Sequence, residues 1–388
     1  MKMYLKIFLG EWKNASRDKR ELSVAEEMGY QTLVISGTKE SKSVVSDVVD
    51  GFNVIKVPTR RFGEGRVRKY LGYLWGFMMY IREAKKIDAT IISGHNYGAL
   101  LVGFLSICGK KCDTKLIYDS HEFELYQKDR SWLAFHGVKL IERFLVKRTD
   151  INMMVTETIA EKVQQIYMLK KTPLVIRNIP NKSILHEDVV RENRKEFLEH
   201  LHMGDNTFIV MHHGGIVQGR GVEEIIRAVS CLDGVGLVIM GYAIDAKYRE
   251  YIIQLIRDKR IENRVYLKDA VPFQQLYDYV AAADVGVALT QNTCINFYYS
   301  LPNKLFENIQ AKTPVIGSDL PEISKIINQY QVGLVVQPDN IDEIVAAISK
   351  MKDNVHLYQQ FKENENRARE ELCWEVEKIK LKEAIEKI

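Results

Sequence analysis

This chain has few cysteines, little excess charge of either sign and no long apolar run, and each shortage removes a class of protein. No 18 successive apolar residues occur in its 388, so no segment reads as a membrane span. The N-terminal stretch Met1–Gly10 passes straight into a short apolar run. Without a long apolar region or a cleavage site, it is not expected to be a signal peptide. Five scattered cysteines (Cys108, Cys112, Cys231, Cys294, Cys373) have no second Cys or His pair at ligand spacing. They exclude a zinc motif and read as reduced core thiols of a cytoplasmic protein. Charge of one sign is also lacking: 55 Lys and Arg against 51 Asp and Glu leave a net +4, too little to imply nucleic acid. No Asp-x-Asp pair follows a strand and no carboxylate cluster suits a divalent ion, so neither a metal nor a cofactor is expected. There is no Ser-His-Asp order and no Cys–His pair.

What is present is globular, 46% hydrophobic and 27% charged, at a length natural for two domains. Short apolar runs alternate with helix-period segments. In the first half they are Tyr4–Leu9, Thr32–Ser36, Val54–Val57, Ala89–Ser93, Lys115–Tyr118, Ile151–Val155 and Leu174–Ile176. In the second they are Phe208–His212, Gly236–Met240, Val265–Leu267, Val285–Ala288, Val315–Gly317 and Gly333–Val336. Strands alternating with helices predict an α/β protein with two Rossmann-like, doubly wound domains. We place a first domain at 1–178, a polar linker at 179–206, a second domain at 207–354 and a charged helical tail at 355–388.

Two stretches of the second half suit a nucleotide sugar. His212-His-Gly-Gly-Ile-Val-Gln-Gly-Arg-Gly221 follows a strand and opens a helix near Val222; its glycines, Gly214 and Gly215 among them, let backbone approach a phosphate, and Arg220 adds a cation. A bare glycine-rich turn is also compatible with a tight turn alone. Ser300-Leu-Pro-Asn-Lys-Leu-Phe-Glu307 reads as a loop that becomes a helix at Pro302, where a missing N–H costs nothing. Such a helix start offers free N–H groups to an anion, and Glu307 can accept from two ribose hydroxyls.

The second stretch resembles the donor-site motif of retaining, nucleotide-sugar-dependent glycosyltransferases of the GT-B fold (family 4, group 1 type). The resemblance covers nearly the whole chain and is strongest from Gly214 to Glu322. In that family two glutamates stand eight residues apart. Here the second is Glu307, and Tyr299 occupies the first position, which can still make a hydrogen bond to the sugar or merely pack. The family's phosphate loop carries an Arg and a Lys. Arg220 fits the second, the first falls near Gly215, and Lys304 is the candidate for the missing charge. Tyr299, Leu301, Pro302, Asn303, Lys304 and Glu307 would thus hold the donor with Gly214, Gly215 and Arg220, while Arg220 and Lys304 would stabilise the leaving diphosphate. The resemblance further implies two facing domains and a tail that crosses back to the first.

In the first half, Asp119-Ser-His-Glu-Phe-Glu124 follows a strand, and capping of a following helix by Asp119 or Ser120 is the plain structural reading. His121 matches the family histidine that faces donor sugar and acceptor, and Glu122 and His95 are acceptor candidates, His95 being equally well read as a satisfied structural histidine. Gly10 opens a loop resembling the family's first one near the donor phosphates. Within it Arg17, Lys19 and Arg20 either face phosphate or acceptor or are solvated first-turn charges. Arg60–Tyr70 is basic and leads into the aromatic-rich Tyr73–Tyr80, so 60–80 suggests contact with anionic headgroups at the inner face of a membrane, or else core aromatics. The implied activity is sugar transfer from a nucleotide sugar, UDP-linked by default, to a saccharide or lipid-linked acceptor in bacterial-type surface polysaccharide synthesis. The alternatives are a sugar-nucleotide 2-epimerase and a non-catalytic nucleotide-sugar-binding partner.

Overall fold

Short apolar runs between helices can bury both faces only inside parallel sheets, and the chain forms two of them. The computed structural model describes residues 2–12, 15–59, 66–110, 113–127 and 130–388. Its chain divides into two units. The first holds the residues up to Asn178 together with Lys378–Ile388, and the second spans Ile179–Glu377.

Among the described residues, the first unit holds eight strands: β1 (Met3–Phe8), β2 (Gln31–Thr38), β3 (Val45–Val49), β4 (Phe52–Pro58), β5 (Ile91–Gly94), β6 (Lys115–Asp119), β7 (Ile151–Met154) and β8 (Leu174–Val175), in the order β3-β4-β2-β1-β5-β6-β7-β8. All pairings are parallel except β3–β4 at the edge. The strand β3 escaped the sequence reading because Val-Ser-Asp-Val-Val is exposed and carries no apolar run. The second unit holds β9 (Phe208–His213), β10 (Val235–Met240), β11 (Val265–Lys268), β12 (Val285–Ala288), β13 (Val315–Ser318) and β14 (Gly333–Val336), all parallel, in the order β11-β10-β9-β12-β13-β14. In each sheet the strand order reverses beside the unit's first strand, between β1 and β5 and between β9 and β12. At such a reversal the flanking helices diverge and leave a crevice for ligands.

Two expected boundaries move. The helix Glu187–Leu201, assigned to a linker, buries Phe197 and Leu201 against Ile209, Met211 and Val238 and is part of the second unit's core. Residues 179–183 are fixed as well: Ser183 is bonded through N–H and Oγ to Gln310, whose amide donates to the carbonyls of Arg369 and Leu372. The tail also divides. Val355–Glu371 stays with the second unit, where Phe361 and Ala368 enter its cores. Only Lys378–Ile388 joins the first, with Lys378 and Lys382 pairing with Glu27. The described thiols Cys108, Cys231, Cys294 and Cys373 are free, yet only Cys373 is buried. Cys108 and Cys231 sit at helix C-caps, where the side chain leaves the core, and Cys112 lies outside the described residues.

Candidate functional site

At the end of β9 the sequence His212-His213-Gly214-Gly215 turns out of the sheet. Gly214 has a φ of +92°, and a Cβ there would lie 3.4 Å from Lys304 Cε, so a side chain would strain the backbone and crowd the lysine. The turn ends at Gly221, the N-cap of the helix Val222–Ser230. Its φ is +77°, and an added Cβ would fall 2.3 Å from Leu289 Cβ, so only glycine fits.

Lys304 and Glu307 come from the helix Asn303–Gln310, whose Leu305, Phe306 and Ile309 are buried. Pro302 is its N-cap and lends no side-chain bond, and no acidic residue stands in the first turn, so the helix's positive end is not neutralised from within. Spacing along this helix sends Lys304 and Glu307 to the two histidines of β9. Lys304 Nζ lies 2.6 Å from His212 Nε2, and the ammonium donates to the imidazole. Burial first, and then Arg220, lower the Lys304 ammonium to about 7, with Glu307 opposing. Burial and Lys304 in turn hold His212 well below its ordinary value, hence neutral. His213 Nε2 is 3.0 Å from Glu307 Oε2; since a carboxylate can only accept, the imidazole donates and fixes the carboxylate's orientation. The Arg220 guanidinium stacks over Phe297, 4.8 Å from its centroid. The turn therefore gathers two cations, an oriented carboxylate and an open helix start around backbone without side chains.

The crevice of the first unit is filled differently. Lys6, in the middle of β1, is wholly buried; its ammonium bonds Glu21, lies 2.9 Å from Asp18 Oδ1 and 3.5 Å from Asp119 Oδ2, and donates to Ser93 Oγ at 3.2 Å. Arg17, also buried, donates to Asp119 at 2.6 Å and to the Ile176 carbonyl at 2.7 Å. Burial alone would raise Asp119; Arg17, His121 and Lys6 outweigh it and keep the carboxyl well below its usual range. Asp18 is likewise held down, burial being outweighed chiefly by Lys6. His121 Nε2 bonds Asp119 Oδ2 at 2.8 Å and lies 3.7 Å from Asp18 Oδ1, with part of its ring open to solvent. Asp18, Asp119 and His121 present their ligand atoms close enough together for a metal ion. Lys6 and Arg17 already supply positive charge to those carboxylates, which makes the cluster a poor cation trap.

The second-unit candidates Gly214, Gly215, Arg220, Tyr299, Leu301, Pro302, Asn303, Lys304 and Glu307 fall on two neighbouring segments, with Lys304 packed against Gly214. Tyr299 caps the short helix Ile295–Tyr298 and meets Tyr298 edge-on at 4.8 Å. In the first unit Gly10 accepts from the Gly37 N–H at 2.8 Å. Arg17 is not directed to a ligand, because its guanidinium is engaged by Asp119 inside the protein. Lys19 pairs with Asp50 and Arg20 with Asn178. His95 packs on Phe8 and its ring nitrogens meet the Ile7 carbonyl and Asn96; burial lowers it to about 4, so it remains neutral. Asp119 is no helix cap, since only the single turn Glu124–Tyr126 follows. Glu122 is exposed, and burial beside Glu142 raises Glu124 to about 8. Arg60–Gly65, like Lys13 and Asn14, lies outside the described residues. Sequence reasoning missed Lys6, Asp18 and Glu21 and gave His212 and His213 no role. A lone lysine within the apolar run Tyr4–Leu9 was the signal for the first.

Residues 193–368 match the family described as glycosyl transferases group 1. A curated relative, alpha-D-kanosaminyltransferase from Streptomyces kanamyceticus, is 23% identical over 58% of this chain, and the match spans 57% of that relative's length. Among solved structures, sucrose-phosphate synthase from Thermosynechococcus elongatus superposes with a TM-score of 0.78 at 14% identity, over 100% of this chain and 99% of that one. HepE of Anabaena, in complex with UDP, gives 0.76 at 15%, over 100% of both. The chain thus has the GT-B fold, and its segment 193–368 is similar to the group 1 glycosyltransferases.

Proposed function

We propose that the chain transfers a sugar from a nucleotide-activated donor, with UDP as the nucleotide, to a saccharide or lipid-linked acceptor. The anomeric configuration is retained, and the reaction belongs to cytoplasmic assembly of a surface polysaccharide. The observation that carries this reading is Lys304, a cation held near its titration point against the bare Gly214–Gly215 turn. A group so placed gains most from a dianionic ligand, and a diphosphate supplies one. Arg220 and the start of the helix Asn303–Gln310 add further positive potential, so the leaving diphosphate needs no metal. Glu307, oriented by His213, holds the ribose hydroxyls. His121, anchored by Asp119 with its ring partly open, acts on the sugar and acceptor. The UDP bound to Anabaena HepE and the sugar transfer in the name of the kanosaminyltransferase support the choice of donor class.

The test is release of UDP from a panel of UDP-sugars with and without saccharide and lipid-linked acceptors, with the anomeric configuration of the product read by NMR. Acceptor-dependent release with retention, unchanged by chelators, is the expected result. Donor turnover without any acceptor, an inverted product or a strict Mn²⁺ or Mg²⁺ requirement would contradict it.

A further inference from the structure

Lys304 and Glu307 stand three residues apart on the helix Asn303–Gln310, a spacing at which opposite charges pair along a helix face. Among the described residues these two nonetheless form no ion pair. The lysine bonds His212 and the glutamate bonds His213, two consecutive residues of β9. The sheet holds both histidines in place, His212 opposite Ile239 and His213 opposite Met240, and both are buried, at 0% and 1% exposure. Glu307 still favours the ammonium through space, as the last of the influences on it after burial and Arg220.

A neutral imidazole suits this position because it can accept or donate without adding charge. Toward the ammonium His212 presents an unprotonated Nε2, and toward the carboxylate His213 presents Nε2–H, so the two rings are opposite tautomers. Burial and Lys304 keep His212 neutral. A lysine paired with Glu307 would have its charge cancelled on the spot, whereas one bonded to a neutral ring keeps it for a ligand. That charge matters because the backbone has spent part of what it could offer. The N–H groups of Gly214 and Ile216 donate to the carbonyls of Met240 and Tyr242, both at 2.9 Å. An anion over the turn therefore leans on the side-chain cations, and Lys304 packs directly against Gly214.

We propose that His212 and His213 are positioning residues of the donor site: they hold Lys304 and Glu307 apart, so that the cation stays available to phosphate and the carboxylate to ribose. This separation rests on the donor-site reading above. It supplies what that reading needs, a reason why opposite charges one turn apart do not cancel each other.

The experiment is calorimetry of inorganic pyrophosphate and of UDP binding to the full chain at pH 7. Pyrophosphate has no ribose, so it reads the cation alone. In His213→Leu, Glu307 is released to capture Lys304, and pyrophosphate affinity should fall about tenfold, the scale of one charge-assisted hydrogen bond. Adding Glu307→Gln removes the captor and should restore that affinity to within about twofold of wild type, a non-additive pair. His213→Gln keeps a donor toward Glu307 and should bind pyrophosphate as wild type does. His212→Leu frees the lysine instead and should lower the affinity by a similar factor. Lys304 also reports in the empty protein, through the pH midpoint of its acetylation by acetic anhydride, followed by mass spectrometry. A carboxylate beside it stabilises the ammonium, so in His213→Leu that midpoint should rise from about 7 by about one pH unit or more, and fall back with Glu307→Gln. A histidine that only packs would lower the melting temperature in His213→Leu and leave the midpoint in place, and Glu307→Gln would restore nothing. Either of those results overturns the proposal, as does a wild type that binds no pyrophosphate. Pyrophosphate binding with rescue, but no binding of UDP, leaves the separation standing and removes the nucleotide from the donor-site reading.

Discussion

The two sheets reverse their strand order at equivalent places, yet the crevices there are furnished in opposite ways. Beside β1 the space is packed with opposed charges that pair with one another: two cations, Lys6 and Arg17, against three carboxylates, Asp18, Glu21 and Asp119, all buried. Beside β9 it is lined by glycine, and one lysine is left with an imidazole as its hydrogen-bond acceptor. A saturated network has little to gain from a charged ligand and fixes the geometry of whatever projects from it, here His121. A cation whose charge is disfavoured where it stands gains most from one. One topology can therefore supply a rigid platform and, on the function proposed above, an anion receptor, and the side chains at the switch point decide which.

The largest effect expected from breaking this contrast is on the platform. Lys6→Met should destabilise the protein by about 3–5 kcal/mol, because it leaves carboxylates buried without their central cation. Denaturant unfolding of the first unit measures it. A loss below about 1 kcal/mol, within the range of a solvent-screened surface pair, would mean that the cluster is not the closed network described.

Next in size is the receptor. Glu307→Ala should weaken nucleoside diphosphate by about 2–4 kcal/mol, the scale of hydrogen bonds to a charged acceptor, with little change in melting temperature. Calorimetry decides it, and unchanged affinity would remove the ribose from Glu307.

A third test uses the lysine's titration. In the empty site Lys304 loses its proton near pH 7; a bound diphosphate holds the proton and raises that value. The bound state then carries more protons than the free state above pH 7, so affinity falls as pH rises, by up to about tenfold per unit, until the bound-state value is passed. Lys304→Arg, which does not deprotonate, should flatten the profile between pH 7.5 and 9. A wild-type profile already flat there would show that Lys304 does not meet the phosphate.

Much of the receptor was legible in the sequence because its parts are local. A glycine turn after an apolar run, and a Pro-Asn-Lys helix start three residues before a glutamate, reveal their chemistry within a few residues. The six strands of the second sheet were legible for the same reason, being short apolar runs, of which the four central ones are buried on both faces. The platform was not. Asp18 and Glu21 carry no local signal, and Arg17 reads as a solvated or ligand-facing charge, until the fold brings Asp119 onto Arg17 and Lys6 between them. Nor does a charged tail announce where it changes partners. Val355–Glu371 and Lys378–Ile388 are similarly polar, and only the burial of Phe361 and Ala368 shows the first to belong with the second unit.

The smallest stability effect is reserved for His121, and the comparison predicts its size. Asp119 is held by Arg17 and Lys6 as well as by His121. Removing the imidazole takes one of several partners, and its ring lies partly in solvent, so His121→Ala should cost only about 1 kcal/mol, a typical hydrogen bond. Nucleoside diphosphate affinity should stay the same, since the groups assigned to the diphosphate belong to the second unit. Turnover should nonetheless fall strongly, because an interaction made mainly in the transition state lowers kcat and spares ground-state binding of the nucleotide. His121→Asn adds a control: it can keep a donor to Asp119 and should recover stability without recovering turnover. Melting temperature, calorimetry and kcat on both variants give three independent readings. Normal turnover in His121→Ala would reduce the platform to a folding device and leave the first unit's part in the reaction to other side chains.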